Sequence, residues 1–483
     1  MTIVRRSEGA PLCAPLAERM RERRLTFGGR LLCPFLRPFF FSPEDEERVA
    51  RSASLLYALG ERVAAAAIDD ASLLAELGLS DAEVSLAAID PGYGVASTAA
   101  RADAFLLPES LQFAEYNAES PAGAGYTQRL SELFDDEPLM HEFRQQFAVR
   151  YFRPIRLLLD ALLDSYRDWG GTERPPRMAI VDWREVPTWS EFELLRDAFS
   201  SVGVPTIIAD PRDLSYDGTV LRAGAERIDL VYRRVLINDI VARPAECRAL
   251  VDAYRARAVC VANTLRCKIP HKKAFFAILT DDRFKHLFSA EERTAIRRHV
   301  PWTRVVRDGA IIDRLRDGRE RLVLKPNDEY GGSGVTLGWE TSAGAWDAAI
   351  ERAISDRPGA WIAQERIEVR REMFPVCTDE GIVERDMLVD FAPYVFRGKV
   401  AGYLTRLSST GLANVTSGGG QVMSCWVCLS HSGYALGANG LHCGYVLIAL
   451  PGELIPVCET FQRDRRLHAS SRKPPAGWQV RDR

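Results

Sequence analysis

The sequence predicts a mixed α/β protein built from more than one packed domain. Three observations carry this. The chain has 483 residues and 47% hydrophobic residues, enough to fill several cores. Residues 177–265 alternate short β-rich runs with helical periodicity, the pattern of a parallel sheet covered by helices. Two strand–turn–strand units, at 101–117 and 322–339, gather charged side chains and glycines at their turns or faces.

Composition narrows the function classes. The chain carries 63 basic and 66 acidic residues for a net charge of -3, which speaks against binding nucleic acid or an anionic membrane through bulk electrostatics. Met1 to Arg6 are basic without a following apolar region, and no apolar run approaches the roughly 20 residues of a membrane span, so a cytoplasmic protein is expected. Ten cysteines without framework spacing lead us to expect free thiols rather than disulfides. Only seven of the 63 basic residues are lysines, and five of them lie between 268 and 325. Where arginine supplies nearly every surface charge, a retained lysine points to a need for its compact ammonium.

Ser42-Pro43-Glu44-Asp45 opens a helix that runs to about Ala67, with Val49, Leu55, Leu56, Leu59 and Val63 near helical spacing. Shorter helices follow to residue 89, where Asp90-Pro91-Gly92 breaks them. Residues Arg101–Leu107 and Leu111–Asn117 then read as two strands around a Pro108-Glu109-Ser110 turn. If Leu107 faces Leu111, Asp103 lies opposite Glu115 and Arg101 opposite Asn117, all four on one face. Two carboxylates, a carboxamide and an arginine make either a hard-oxygen magnesium site with an anion clamp or a salt-bridged polar face.

Helical segments extend to about Trp169, and Gly170 to Pro176 form a linker. The α/β unit beyond it has strands at Met178–Asp182, Val204–Ala209, Asp229–Val235 and Ala258–Ala262, with a helix at Ser190–Ser201. It has no G-x-G-x-x-G turn and is not read as a dinucleotide site. Arg233 and Arg234 at a strand end read as solvent-paired arginines or as a carboxylate clamp. His271-Lys272-Lys273 opens a helix to about Phe288, and Ser289 to Glu292 form a capping box.

Leu322-Val323-Leu324-Lys325 is an apolar strand ending in a lysine, which Pro326 terminates. Gly331, Gly332, Ser333 and Gly334 follow, and Val335–Trp339 resumes extended structure. Glycines free to take positive φ can turn backbone N–H groups toward an anion beside Lys325, so a phosphate cover and an ordinary hairpin turn both fit. A Walker pattern is absent, because no Gly-Lys-Ser/Thr opens a helix here. A helix near 343–354, a strand at 361–367 and extended runs joined at Arg397-Gly398-Lys399 complete this half. From 422 onward periodicity is poor. Cys425, Cys428, His431, His442 and Cys443 could chelate zinc but lack a second standard pair, and Arg463–Arg483 reads as a solvated tail.

Lys325-Pro326 with its glycine loop, followed by the apolar-Gln-Glu strand around Gln364, Glu365 and Ile367, resembles the nucleotide-binding half of an ATP-grasp domain. Arg101-x-Asp103 and Glu115-x-Asn117 precede these elements, which resembles the circularly permuted ATP-grasp proteins, glutathionylspermidine synthetase and its relatives among them. The resemblance covers about residues 30–421. It implies ATP and Mg2+ as cofactors, with Asp103, Glu115 and Asn117 as metal ligands and Arg101 as the catalytic arginine. It implies that Lys273 (with Lys268 as the alternative), Lys325, the 331–334 loop, Gln364, Glu365, Ile367 and Arg406 face the nucleotide. The implied activity is an ATP-dependent carboxylate–amine ligase acting through an acylphosphate on small-molecule or peptide substrates. A phosphotransferase or a non-catalytic ATP-binding protein are the alternatives. The expected layout is an N-terminal extension (1–41), a helical segment with the metal-binding half (42–170), a small α/β domain (177–265), the nucleotide-binding half (266–421) and an atypical tail (422–483). No papain-like Cys–His pattern accompanies it, so an amidase half is not expected.

Overall fold

The computed structural model describes residues 10–307, 309–411, 419–429, 447–450 and 453–456. The chain divides into two compact units, residues 4–430 and residues 431–483 with 1–3. Of the second unit, the described residues form one antiparallel hairpin, Leu447–Leu450 with Glu453–Pro456.

The first unit is organised around an antiparallel sheet. Its strands run in the order Gly420–Val422, Lys399–Ser408, Gly381–Phe396, Ala99–Leu106, Leu111–Asn117, and Arg371–Thr378 pairs with the outer part of Gly381–Phe396. The N-terminal hairpin thus completes a sheet whose other strands lie nearly 300 residues later, through the pairing of Arg101 with Tyr394. Helix Pro43–Ile68 packs on this sheet through Val49, Leu56, Leu59 and Val63. Its start follows the expected chemistry: Ser42 accepts from Asp45 N, Asp45 caps Ser42 in return, and Pro43 opens the first turn.

Residues 178–262 form a four-stranded parallel sheet in the order Cys260–Ala262, Leu230–Arg233, Met178–Val181, Thr206–Ala209. Alternation along each strand divides its apolar residues between two cores. Met178, Ile180, Leu230 and Tyr232 meet helices Pro154–Asp168 and Trp189–Ser201, while Ala179, Val181, Val231 and Val261 meet Arg248–Arg255. Tyr394 and Phe396 of the central sheet share the first core, so the parallel unit is fixed against that sheet. A third sheet, Thr303–Val305, Trp361–Glu365, Leu322–Pro326, Thr336–Leu337, is backed by helix Ala343–Ser355 through Trp346, Ala349 and Ile350.

Several expectations are corrected. Cys13 and Cys377 form a disulfide, so not every thiol is free; Cys33, Cys247, Cys260, Cys267 and Cys425 are free and buried. The helix expected from His271 to Phe288 is broken into Lys268–His271, Ala274–Thr280 and a 3-10 segment, because Lys272 leaves helical geometry to bury its ammonium. Residues read as the start of an aperiodic tail form strand Ser424–Leu429, which lies between Phe39–Phe41 and Phe147–Tyr151. His431, His442, Cys443 and Arg463–Arg483 lie outside the described residues, as does the side chain of Cys428. No helix among the described residues is long and apolar enough to cross a membrane.

Gly78 shows how tightly the halves are joined. It ends helix Ala71–Leu77 at φ 74°, and a Cβ there would meet Gly359 O at 2.6 Å and Asn327 Nδ2 at 2.8 Å. Gly78→Ala is expected to destabilise by about 1–3 kcal/mol, from the left-handed strain plus the clash, measured by urea unfolding.

Candidate functional site

The site grows from the 99–117 hairpin. The sequence reading closed it with Leu107 opposite Leu111; the structure pairs Leu106 with Leu111 instead. An extra residue, Ala114, then bulges from the second strand, and the two offsets cancel: Arg101 faces Asn117 and Asp103 faces Glu115. The bulge also exposes a carbonyl, since Ala114 O accepts from Lys325 Nζ at 3.2 Å. One irregularity thereby ties the carboxylate hairpin to the lysine strand.

Asp103 lies between two guanidiniums. Arg101 Nε donates to its Oδ1 at 2.8 Å, and Arg406 Nη2 donates to its Oδ2 at 2.6 Å. Burial alone would raise the Asp103 carboxyl, but the charges of Arg101 and Arg406 outweigh it and hold the group well below the usual carboxylate range. Arg406 Nε also donates to Asp390 Oδ2 at 2.6 Å, and Asp390 Oδ1 accepts from Ala104 N at 3.2 Å. Asp390 is 1% exposed, and burial pushes it up to about 6 despite Arg406. No sequence motif signals it, because only the cross-strand register to Arg406 brings it here.

Glu115 keeps most of its oxygen valence unspent, with Lys273 Nζ 3.5 Å from Oε1. Asn117 Nδ2 is buried without a partner. Asp103, Glu115 and Asn117 thus offer hard oxygen donors from facing positions on one sheet face, a set that fits a divalent cation. Among the described residues no three His, Cys, Asp or Glu side chains gather to hold a metal, so the carboxamide is needed to complete the set.

Lys325 and Lys273 face these donors. Lys325 donates to Gln364 Oε1 at 2.6 Å, and Gln364 Nε2 is held in turn by Thr303 Oγ1 at 3.2 Å. Burial pulls Lys325 down to about 8, with Glu115 opposing and Lys273 adding to the shift. Lys273 Nζ also donates to Glu329 O, at the entrance of the glycine loop. Lys268 has a different setting. It is enclosed by Asp328 at 2.7 Å and Glu119 at 3.2 Å, while Lys272 pairs with Asp328 at 2.6 Å and Glu83 at 2.7 Å. This ion cluster anchors the residue before the loop and leaves Lys273 as the lysine of the segment that reaches Glu115.

Gly331, Gly332 and Gly334 take φ of 67°, 76° and 71°, and the loop closes through Ser333 N to Tyr330 O and Val335 N to Gly332 O. Strand alternation puts Gln364 on the Lys325 face and Glu365 on the other, where its carboxylate meets Arg314 at 3.1 Å. Ile367 lies past the strand end, half-buried. Sequence reasoning missed Glu119, Asp328 and Asn327. Asn327 Oδ1 accepts from Ala274 N, and its Nδ2 donates to Leu77 O and Gly359 O, each at 2.8 Å. Asn327 and Asp328 follow Lys325-Pro326 directly, which was the one available signal.

A family model described as circularly permuted ATP-grasp type 2 matches residues 108–415. Arg101 and Asp103 lie just upstream of the matched segment. A protein of Frankia casuarinae provisionally named glutamate–cysteine ligase 2-2 is 26% identical over 64% of this chain and 36% of its own length. An uncharacterized protein of Mycobacterium tuberculosis is 26% identical over 71% of this chain and 62% of its own. The chain thus spans roughly one to two thirds of the length of these relatives. Glutathionylspermidine synthetase is not among their names. Among solved structures, a glutathione synthetase-like effector from Globodera pallida in its apoform matches with a TM-score of 0.53 and 13% identity, over 85% of this chain and 95% of that one, a likeness of fold.

Proposed function

The chain belongs to the circularly permuted ATP-grasp type 2 family, and from that premise we propose that it is an ATP-dependent carboxylate–amine ligase working through an acylphosphate. The observation that supports this most is the meeting of Lys273 and Lys325 with Glu115 and the Arg101–Asp103–Arg406 chain across two sheets. Lys325 is a half-buried ammonium short of counter-charge, which a polyphosphate would supply.

In this reading a substrate carboxylate oxygen attacks the γ-phosphorus and ADP leaves. An amine nitrogen then attacks the acyl carbon, phosphate departs with its bridging oxygen, and the nitrogen loses a proton. The chain's part is to bring anions together. Lys273 and Lys325 neutralise the α- and β-phosphates, the 331–334 loop covers them, and Gln364 orients Lys325 from the adenine side. Arg101, aligned by Asp103, faces the transferring phosphoryl group, and Arg406 holds Asp103 from the other side. Asp103, Glu115 and Asn117 would hold Mg2+, which when bound offsets charge on the β- and γ-oxygens. A relative provisionally named glutamate–cysteine ligase agrees with amide-forming chemistry.

Two measurements test this. ADP and phosphate release from Mg-ATP is expected only when pooled acids and pooled amines are both present; ADP formed with acids alone would favour a kinase. The second is pH dependence. The folded pKa of Lys325, about 8, lies below the ordinary 10.5, so its charge is carried at a cost to folding that is relieved as pH rises from about 8 toward 10.5. Thermal stabilisation by Mg-ATP is therefore expected to be fullest below pH 8, to weaken above it, and to be lost in Lys325→Met. A pH-independent nucleotide shift, or one that survives in Lys325→Met, would contradict this role.

A further inference from the structure

The parallel sheet changes direction between Met178–Val181 and Leu230–Arg233. From the first strand the chain builds Thr206–Ala209 on one side, then returns to build Leu230–Arg233 and Cys260–Ala262 on the other. Such a reversal opens a crevice beyond the carboxyl ends of the two strands, where open α/β sheets bind ligands. The residues at those two ends are Asp182 and Arg234, and Arg234 N donates to Val181 O at 2.8 Å. Both side chains are buried, at 6% and 3% exposure, so of the two readings its sequence position allowed, Arg234 does not fit that of a solvent-paired arginine.

Glu191 of helix Trp189–Ser201 and Tyr126 of helix Ala124–Asp135 adjoin this end of the sheet. Glu191 Oε1 accepts from Gly123 N at 2.7 Å and Gly125 N at 3.0 Å. Arg234 Nη1 donates to Pro121 O at 2.6 Å and Tyr232 Oη at 3.1 Å, with the guanidinium 5.4 Å from the Phe192 ring. Half of each group's capacity remains. Arg234 Nε, Glu191 Oε2 and Tyr126 Oη are all buried without a hydrogen-bond partner. Arg234 and Glu191 are close enough for each charge to act on the other, yet no ion pair joins them. Native interiors rarely leave one such atom unmatched, and here three of complementary character lie near one another at this end of the sheet. Arg233, by contrast, is fully spent on Val235 O, Asn263 O and Cys267 Sγ. The same loop reaches the reaction centre, since Ala122 O accepts from Arg101 Nη1 at 3.0 Å and Tyr394 Oη at 3.1 Å.

We propose that this crevice seats the α-amino-acid head of the acid substrate, with its carboxylate on Arg234 Nε and Tyr126 Oη and its ammonium on Glu191 Oε2 and Asp182. Resting on the ligase reading, this specifies the substrate class. An amine held as an ammonium between carboxylates cannot be the nucleophile, and a carboxylate held by Arg234 is not the one phosphorylated. The reacting carboxylate is a second one, carried toward Arg101 along the 119–123 loop. The substrate is an amino dicarboxylic acid or a peptide presenting that head.

The test uses the full chain with Mg-ATP and thermal shift as the readout. L-aspartate, L-glutamate and L-2-aminoadipate are titrated beside glutarate, which lacks the amine, and 4-aminobutyrate, which lacks the α-carboxylate. At least one of the three amino acids is expected to raise the melting temperature, with both truncated analogues weaker by roughly tenfold or more in half-effect concentration. Arg234→Gln and Tyr126→Phe are each expected to weaken the amino-acid effect by roughly tenfold while leaving the Mg-ATP shift unchanged. Tyr126→Phe removes only a hydroxyl and keeps the buried ring, so it serves even if Arg234→Gln does not fold. Three results would overturn the inference while sparing the ligase reading: no response to any of the three amino acids where Mg-ATP alone shifts the protein, an equal response to the truncated analogues, or unchanged titrations in both variants. Absence of any Mg-ATP shift in the wild type would overturn the ligase reading and this inference with it.

Discussion

Asp103→Ala is expected to lower turnover by at least roughly 10²–10³-fold, the scale of removing one aligned electrostatic group from a transition state. The loss has two sources. One is an oxygen donor of the proposed cation site. The other is the anion that aligns Arg101 and Arg406, which donate to it at 2.8 Å and 2.6 Å. Without Asp103 the two guanidiniums repel across a buried space with Asp390 as the nearest counter-charge, and breaking such a buried network costs about 3–5 kcal/mol of stability. Asp103→Asn separates the two effects. The carboxamide keeps the volume and an accepting oxygen, so the melting temperature should fall less than in Asp103→Ala while turnover falls comparably. Steady-state ADP release beside thermal unfolding of both variants provides the check, and an Asp103→Asn enzyme within tenfold of wild type would contradict the role.

Glu119→Ala is expected to produce the largest purely structural effect. Glu119 is 1% exposed and faces Lys268 at 3.2 Å, Arg233 at 3.6 Å and His271 at 3.5 Å, with Ile237 N donating to it as well. Its removal leaves buried Arg233 without a carboxylate and Lys268 with Asp328 as its remaining close one, for an expected loss of about 3–5 kcal/mol. The pH dependence has a definite sign. Burial raises the Glu119 carboxyl, but Lys268, His271 and Arg233 reverse this and hold its folded pKa below the ordinary 4.5. Its contribution is therefore present above pH 4.5 and is lost as pH falls through the lower folded value. Urea unfolding at neutral pH should show the full gap between wild type and variant, and the gap should shrink in acid. A constant gap would mean that Glu119 acts by packing rather than by charge.

Much of this architecture was legible because it rests on local patterns. The Ser42 capping box, the parallel strands at 178–262 and the glycine loop are set by neighbours a few residues apart. The facing of Asp103 with Glu115 was also anticipated, although by a route that erred twice: the hairpin closes one residue early and Ala114 bulges, so the register is recovered. What stayed hidden depends on distant partners. The partners of Lys268 and Lys272 are set only when Glu83, Glu119 and Asp328 arrive from other segments. Cys13 and Cys377 are separated by 364 residues, a span over which spacing says nothing. Asp390 lacks any motif, and burial alone distinguishes it from the many paired surface charges of this arginine-rich chain.

The most direct measurement is the fate of a carboxylate oxygen. The full chain is incubated with Mg-ATP, an amine pool and acids labelled with 18O in their carboxylates, and the released phosphate is analysed by mass. An acylphosphate route transfers one labelled oxygen to each phosphate, and that transfer is the predicted result. Unlabelled phosphate released at the rate of product formation would contradict the ligase account, because ATP would then be cleaved without activating the acid.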